Sequence, residues 1–426
     1  MRRIDARTAA GRKELETLLA ARRAAPDFRT LRDVLPVVDE VLRKGREPLA
    51  RFVRRFDGVA LSPGNLFVDP VSGRLPVVDG SFVRAFRLAR RRIEAYHRRQ
   101  LPRGFAARDA LGVRFVETPF PLDSAGVYVP GGRAFYPSSL LMGVVPAQVA
   151  GVPRIVVATP PRAWRGSPEL RWALRELGIR EVLLAGGAHG IAGLVSVAGC
   201  AKVVGPGNRY VAAAKHLVSS LVSVDLPAGP SEVLIVASAG ARADLIAADL
   251  LAQAEHDPDA LCLLFTDSSR LAAAVGPEVA AQLARFEEKT TRKVMRDALR
   301  RGRIVLFPGI ARAVAAGAAV AAEHVQVMGR SAEKLASGLL PTAGALFVGA
   351  STPTAFGDYV AGPNHVLPTG GAARSFSGLS VRDFFRWGRS VSMPPKAVRR
   401  LAPAAAVLAR YEGLVAHERS AARRLS

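Results

Sequence analysis

Gln253 and His256 stand three apart in a stretch, 244–256, that reads as one helix, so their side chains would share a face. The chain has seven histidines: His97, His189, His216, His256, His324, His365 and His417. The last four lie among acidic or amide neighbours, and Asp358 shares a segment with His365. Two imidazoles, a carboxylate and an amide oxygen make a donor set that zinc accepts, although an amide ligand is unusual. The same spacing equally suits histidines that only hydrogen-bond at the surface, and spacing alone leaves both readings open. Glu323 and His324 are adjacent. A positioned imidazole can take a proton from an alcohol, and a carboxylate can activate water. Neighbours on a regular helix or strand point to different sides, so two roles in one cleft need an irregular backbone there. A solvated helix end also accounts for the pair. Three Gly-rich turns, Gly131-Gly132, Gly186-Gly187 and Gly205-Pro206-Gly207-Asn208, offer backbone N–H groups at helix starts, where anions such as phosphates can sit. None carries the three-glycine dinucleotide fingerprint with its later acidic residue.

The elements that must position these groups follow an α/β grammar. Residues 1–105 read as helices packing on the second of two α/β units. Within them, 40–56 has apolar residues at helical spacing, and Gly45 and Pro48 divide it in two. From 106 to 230, short apolar runs at 125–129, 154–158, 181–185 and 202–204 each end in a Gly- or Pro-rich turn, with Ser138 as the cap of a helix through Gln148. This is the first unit. The second, 231–370, has strands at 232–237, 261–266, 303–307 and 344–349, with Asp244 as a helix cap and a helix over 311–321. Strand, turn and helix in repetition predict parallel sheets with crossover helices, in two Rossmann-like units. Residues 371–426 form a basic helical arm.

Composition narrows the class. The chain of 426 residues is too long for one ordinary core. Its formal net charge of +24 raises the prospect of an anionic partner. Yet arginine is scattered through the helices, aromatic residues are only 6%, and no nucleic-acid recognition motif stands out, so no nucleic acid is expected. The densest basic stretch, 84–99, has Phe86, Leu88, Ile93 and Tyr96 as the buried face of a solvated helix. Two cysteines, Cys200 and Cys262, cannot build a disulfide framework, which suits a reducing compartment. No apolar signal core or membrane-length run is visible, so the expected location is the cytoplasm.

Taken together, several segments resemble histidinol dehydrogenases. They are Gly-Val-Tyr-Val-Pro-Gly-Gly at 126–132, Gly-Pro-Gly-Asn at 205–208, Pro-Ala-Gly-Pro-Ser-Glu-Val at 227–233 and Asp-Leu-Leu-Ala-Gln-Ala-Glu-His at 249–256. Glu323-His324, Gly-Asp-Tyr-Val-Ala-Gly-Pro-Asn-His-Val-Leu-Pro-Thr at 357–369 and Glu-Gly-Leu-Val-Ala-His at 412–417 follow in order, so that the likeness runs over roughly residues 30–420. The resemblance implies oxidation of L-histidinol through L-histidinal to L-histidine, the last steps of histidine biosynthesis, with zinc and two NAD molecules. It implies Gln253, His256, Asp358 and His417 as zinc ligands and Glu323 and His324 as the catalytic pair. Ser231, Gln253, His256, His324, Asp358, Glu412 and His417 would touch substrate. Tyr128, His189 and Asn208 would touch NAD. It further implies a homodimer whose C-terminal arm brings His417 into the partner's site. Such chemistry needs no thiol, in keeping with cysteines that lie outside these motifs.

Some positions depart from the family's pattern. His189 stands where glutamine is usual, which points to altered NAD binding. The stretch from His189 to Gly205 is a few residues short, and Ala322 replaces a proline before the Glu–His pair. Glu412 and His417 are five apart, about 140° around an unbroken helix at 3.6 residues per turn, so Gly413 must loosen it if both serve one site. Two other readings stay open on sequence: a paralogue that oxidises another primary alcohol with zinc and NAD, and a basic scaffold for nucleic acid.

Overall fold

The structure is a computed structural model and describes residues 1–21, 28–131, 135–226 and 229–425. Gly132, Pro227 and Ala228 of the motifs, and the last residue of the arm, lie outside the described residues. The chain opens with β1 (Arg2–Asp5) and, after a helical stretch, reaches β2 (Phe67–Val68). A hairpin of β3 (Phe105–Arg108) and β4 (Arg114–Pro121) precedes β5 (Ser124–Tyr128), β6 (Arg154–Thr159), β7 (Glu181–Leu184), β8 (Lys202–Val204) and β9 (Ser223–Val224). Then come β10 (Glu232–Ala237), β11 (Leu261–Thr266), β12 (Arg303–Leu306), β13 (His324–Met328), β14 (Ala345–Val348) and, in the C-terminal segment, β15 (Phe385–Ser392).

Two six-stranded sheets form the frame. The first has the order β2-β7-β6-β5-β8-β9 and is parallel except for β2. The second has the order β1-β12-β11-β10-β13-β14 and is parallel throughout. The fold is thus α/β, with two parallel-sheet units. Central strands such as β10, Glu-Val-Leu-Ile-Val-Ala, are buried at every residue. A continuous apolar run of this kind belongs to a parallel sheet covered on both faces.

The sequence boundaries shift in several places. The N-terminal segment, expected on the second unit, divides between both. β1 extends the second sheet beside β12. Helices Phe28–Lys44 and Arg46–Phe52 instead bury Val34, Val38, Val41, Leu49 and Phe52 against the first. Pro48 sits in the first turn of its helix, where its missing N–H is harmless. Helix Gly80–Arg98 also packs on the first sheet, through Phe86, Ala89, Ile93 and His97, while Leu88 and Tyr96 are exposed. Asp79 caps that helix. Ser138 is inside helix Pro137–Ala150 rather than at its cap, and Asp244 lies in the first turn of helix Ala243–Ala254, after an N-cap at Arg242. The C-terminal segment is not purely helical. Leu379, Val381 and Phe384 join the core of the first unit, as does Val366 of the segment before it, and β15 pairs antiparallel with β4 in a small three-stranded sheet, β15-β4-β3. Helices Pro395–Tyr411 and Val415–Ala422 then form the arm. Among the described residues, no helix is long and apolar enough to cross a membrane.

Candidate active site

The two sheets present opposite edges. In the first, the Gly-rich turns follow the carboxyl ends of β5, β7 and β8, with β5 lying between β6 and β8. That is the switch point at which open α/β sheets bind nucleotides. Gly205, at φ 125°, passes so close to Tyr128 that a Cβ there would stand 2.2 Å from the Tyr128 carbonyl oxygen. Only glycine lets the ends of β5 and β8 approach in this way. The Tyr128 hydroxyl accepts the Gly187 N–H at 3.0 Å, and burial pushes its pKa up to about 12. Asn208 is exposed and caps helix Arg209–Val218, its side-chain oxygen accepting the N–H groups of Tyr210 at 3.0 Å and Val211 at 3.2 Å.

His189 is buried and turned toward Asp57, with Nε2 2.8 Å from the carboxylate. The same Asp57 oxygen accepts the Gly186 N–H at 3.0 Å, and Phe56 packs by the imidazole. His189 is therefore anchored behind the Gly186-Gly187 turn. Under the neighbouring turn lies a buried ion pair. Lys215 Nζ meets Asp225 Oδ1 at 2.5 Å and donates to the Gly205 carbonyl at 3.0 Å, while Asp225 Oδ2 accepts the Gly205 N–H at 2.8 Å.

The second sheet offers its amino edge. Ser231 and Glu232 stand at the start of β10, and Glu323 and His324 at the start of β13, with Val233 paired to His324 in register. Helix Ala243–Ala254 runs back along the sheet and ends near the same edge. Gln253 is buried on its last turn, but His256 lies beyond the helix, exposed in a tightened turn whose N–H reaches Gln253 O at 3.4 Å. The expected shared helix face is thus replaced by a turn. The irregular backbone needed for Glu323 and His324 is present. Ala321, at φ 49°, closes helix Ile310–Val320 in the left-handed region, and β13 begins shortly after.

His324 Nδ1 is 3.6 Å from Glu323 Oε2 and 3.3 Å from the Glu232 carbonyl, and its Nε2 is 3.6 Å from Asp358 Oδ1. Burial works against a charged His324, but the Glu323 and Asp358 carboxylates overcome it and raise its pKa to about 10. Burial likewise opposes ionisation of Asp358, yet His324, His365 and His256 together hold that carboxyl below its ordinary range. His365 Nδ1 is 3.0 Å from the Asp358 carbonyl, which ties it to the short helix Thr354–Tyr359 that carries Asp358. The strap continues to Asn364, which donates to the Met142 carbonyl at 2.8 Å in the first unit. The segment 357–369 therefore runs from one unit to the other.

Glu412 and His417 lie apart from this cluster. Gly413, at φ 74°, breaks the helix between them, and both line an open concavity of about 440 Å³ whose walls come only from 405–424. Both are exposed. One chain thus gathers Asp358, Glu323 and His324, with His256 close enough to act on the Asp358 carboxylate; Gln253 is buried on the last turn of helix Ala243–Ala254, and Glu412 and His417 stay on the arm.

The residues fit a metal in part. Gln253 Nε2 and His324 Nε2 are buried without a hydrogen-bond partner, and an amide whose ends are interchangeable by rotation can present its oxygen to a cation. Among the described residues, no three His, Cys, Asp or Glu side chains of one chain close around a metal. A site using an amide, and a fourth donor from elsewhere, is compatible with that. Spacing in the sequence gave no warning of Asp57, Asp225 or Glu232, because each acts through residues remote in the chain.

The family model described as histidinol dehydrogenase matches residues 21–425. A histidinol dehydrogenase of Bradyrhizobium diazoefficiens is 44% identical over 92% of this chain and 91% of its own length. One from Nitrobacter winogradskyi is 41% identical over 100% of this chain and 99% of its own. The crystal structure of histidinol dehydrogenase from Elizabethkingia anophelis superposes with a TM-score of 0.88 at 29% identity, covering 100% of this chain and 98% of that one. From its motifs, its fold and these relatives, the chain belongs to the histidinol dehydrogenase family.

Proposed function

We propose that this protein oxidises L-histidinol through L-histidinal to L-histidine, using zinc and two molecules of NAD, as a homodimer. The observation that carries the reading is the meeting of His324 with the Glu323 and Asp358 carboxylates, its Nε2 buried without a hydrogen-bond partner. Gln253, His256 and Asp358 of one subunit, with His417 of the other, would hold zinc. Zinc would supply a Lewis-acidic anchor for the substrate's amino and imidazole nitrogens, and NAD a hydride acceptor. Tyr128, Asn208 and the turn behind which His189 is anchored would seat NAD at the carboxyl edge of the first sheet.

The chain's own groups divide the proton work. His324 Nδ1–H points to the Glu232 carbonyl, which leaves Nε2 as the base. Nε2 takes the hydroxyl proton as the carbinol carbon loses its hydride. Asp358, Gln253 and His256 would hold the zinc, which would supply positive charge opposing protonation of His324. Glu323 then removes a proton from the water that adds to the aldehyde while His324 gives its proton to the carbonyl oxygen, and the imidazole, neutral again, receives the diol proton in the second oxidation. Ser231 and the partner's Glu412 would fix the substrate. The test is a steady-state assay on purified protein together with metal analysis. Two NADH per histidinol and one zinc per subunit are expected; bound zinc without histidinol turnover would overturn the substrate assignment.

A further inference from the structure

Every residue of β10 after Glu232 is apolar, and Glu232 itself is buried. A carboxylate at such a place is costly unless its oxygens are satisfied. Glu232 Oε1 accepts the Gly370 N–H at 3.0 Å, and Oε2 faces the Glu323 N–H at 3.4 Å. In return the Glu232 N–H donates to Glu323 Oε2 at 2.9 Å. The Glu232 carbonyl faces His324 Nδ1. One residue therefore touches the peptide and the carboxylate of Glu323, the ring of His324 and the turn that closes the strap 357–369.

We infer that Glu232 is the positioning residue of the Glu323–His324 pair, fixing the Glu323 carboxylate through a reciprocal peptide–carboxylate clamp and the His324 tautomer through its carbonyl. This deepens the proposed function and rests on its assignment of Glu323 and His324. The clamp uses one oxygen of Glu323 and leaves the other for water. It also explains why adjacent residues can serve one cleft: the side chain of Glu323 is drawn across to β10 rather than following the alternation of β13.

Glutamine at 232 keeps the shape but offers a single acceptor, so either the Gly370 or the Glu323 N–H would face an amide donor. The experiment is a double-mutant cycle of Glu232→Gln and Glu323→Gln, read as kcat for histidinol, KM for NAD, zinc content and melting temperature. Glu232→Gln alone should lower kcat by about tenfold or more, as a small misplacement of a reacting group does. KM for NAD and zinc content should stay at wild-type levels. In the Glu323→Gln background the same change should have little further effect on kcat, because its target is already gone. Independent, multiplying losses would overturn the inference, as would a kcat for Glu232→Gln equal to wild type. Should Glu232→Gln fail to fold, Glu232→Asp serves in its place; it keeps the charge but withdraws both oxygens, and wild-type kcat in that variant also overturns the inference. Unchanged kcat in Glu323→Gln alone would instead remove the catalytic reading of Glu323, and is thus a separate failure.

Discussion

Replacing Asp225 with alanine isolates the buried network beneath the Gly205 turn. Asp225 is fully buried and Lys215 nearly so, at 0% and 5% side-chain exposure. The substitution removes the 2.5 Å ion pair and the acceptor of the Gly205 N–H together. Lys215 is left with the Gly205 carbonyl, and Lys202, whose pKa burial already lowers, loses a nearby negative charge. Breaking a buried pair from one side costs about 3–5 kcal/mol. A chain of 426 residues has an unfolding entropy near 0.9 kcal/mol per degree, from roughly 2.1 cal/mol/K per residue. The melting temperature should therefore fall by about 3–6 °C in differential scanning calorimetry. The turn also loses its tether, so KM for NAD should rise while zinc content is unchanged. Removing both partners, as Lys215→Met with Asp225→Leu, should recover much of the stability, since an apolar pair of similar volume can replace a buried ion pair. A melting temperature for Asp225→Ala within a degree of wild type would refute the reasoning.

Three further outcomes follow from particular residues. Ala321→Gly should stabilise the protein by about 0.5–1 kcal/mol, measured by denaturant melts, because Ala321 holds a left-handed conformation at φ 49° that glycine adopts freely; no gain would show that the turn is not strained. Burial raises the pKa of Asp249 to about 6, only partly offset by its hydrogen bond with Gln326. The folded state then binds more protons than the unfolded one between the ordinary carboxylate range and pH 6, so stability falls as pH rises through that window and stays lower above it. In metal-free protein Asp249→Asn should be the more stable form at pH 7 and show no advantage below pH 4; equal melting at both would contradict the raised pKa. Asp57→Ala should raise KM for NAD more than it lowers kcat, since it frees both His189 and the Gly186 N–H; an unchanged KM would separate that carboxylate from the cofactor side.

The α/β architecture was legible because parallel strands such as β6, β7 and β8 are short, largely apolar runs that end in glycine or proline. Helix ends were less so: His256 reads as helical by spacing, but Pro258 and the turn at Asp257 end the helix two residues earlier than the pattern suggests. β13 escaped because His324-Val-Gln-Val-Met, a central strand, carries polar residues that a site requires and a core does not. β3, β4 and β15 escaped because their exposed faces lack an apolar pattern and their pairing joins residues far apart in the chain. The same distance hid Asp57 behind His189 and Glu232 beside Glu323. Burial explains the side chain of His97 as well. Its Nδ1 faces the Ile93 carbonyl at 2.7 Å and burial lowers its pKa, so it serves as a neutral core group with no part in the site.

A site completed between subunits makes a demand on mixtures of variants. His256→Ala and His417→Ala chains should each be inactive alone. Refolded together, they form mixed dimers in which one site regains both His256 and His417 from different subunits, so activity should return to about a quarter of wild type. Mixtures that stay as inactive as either variant would contradict an arm that reaches across the dimer, and with it the shared zinc site.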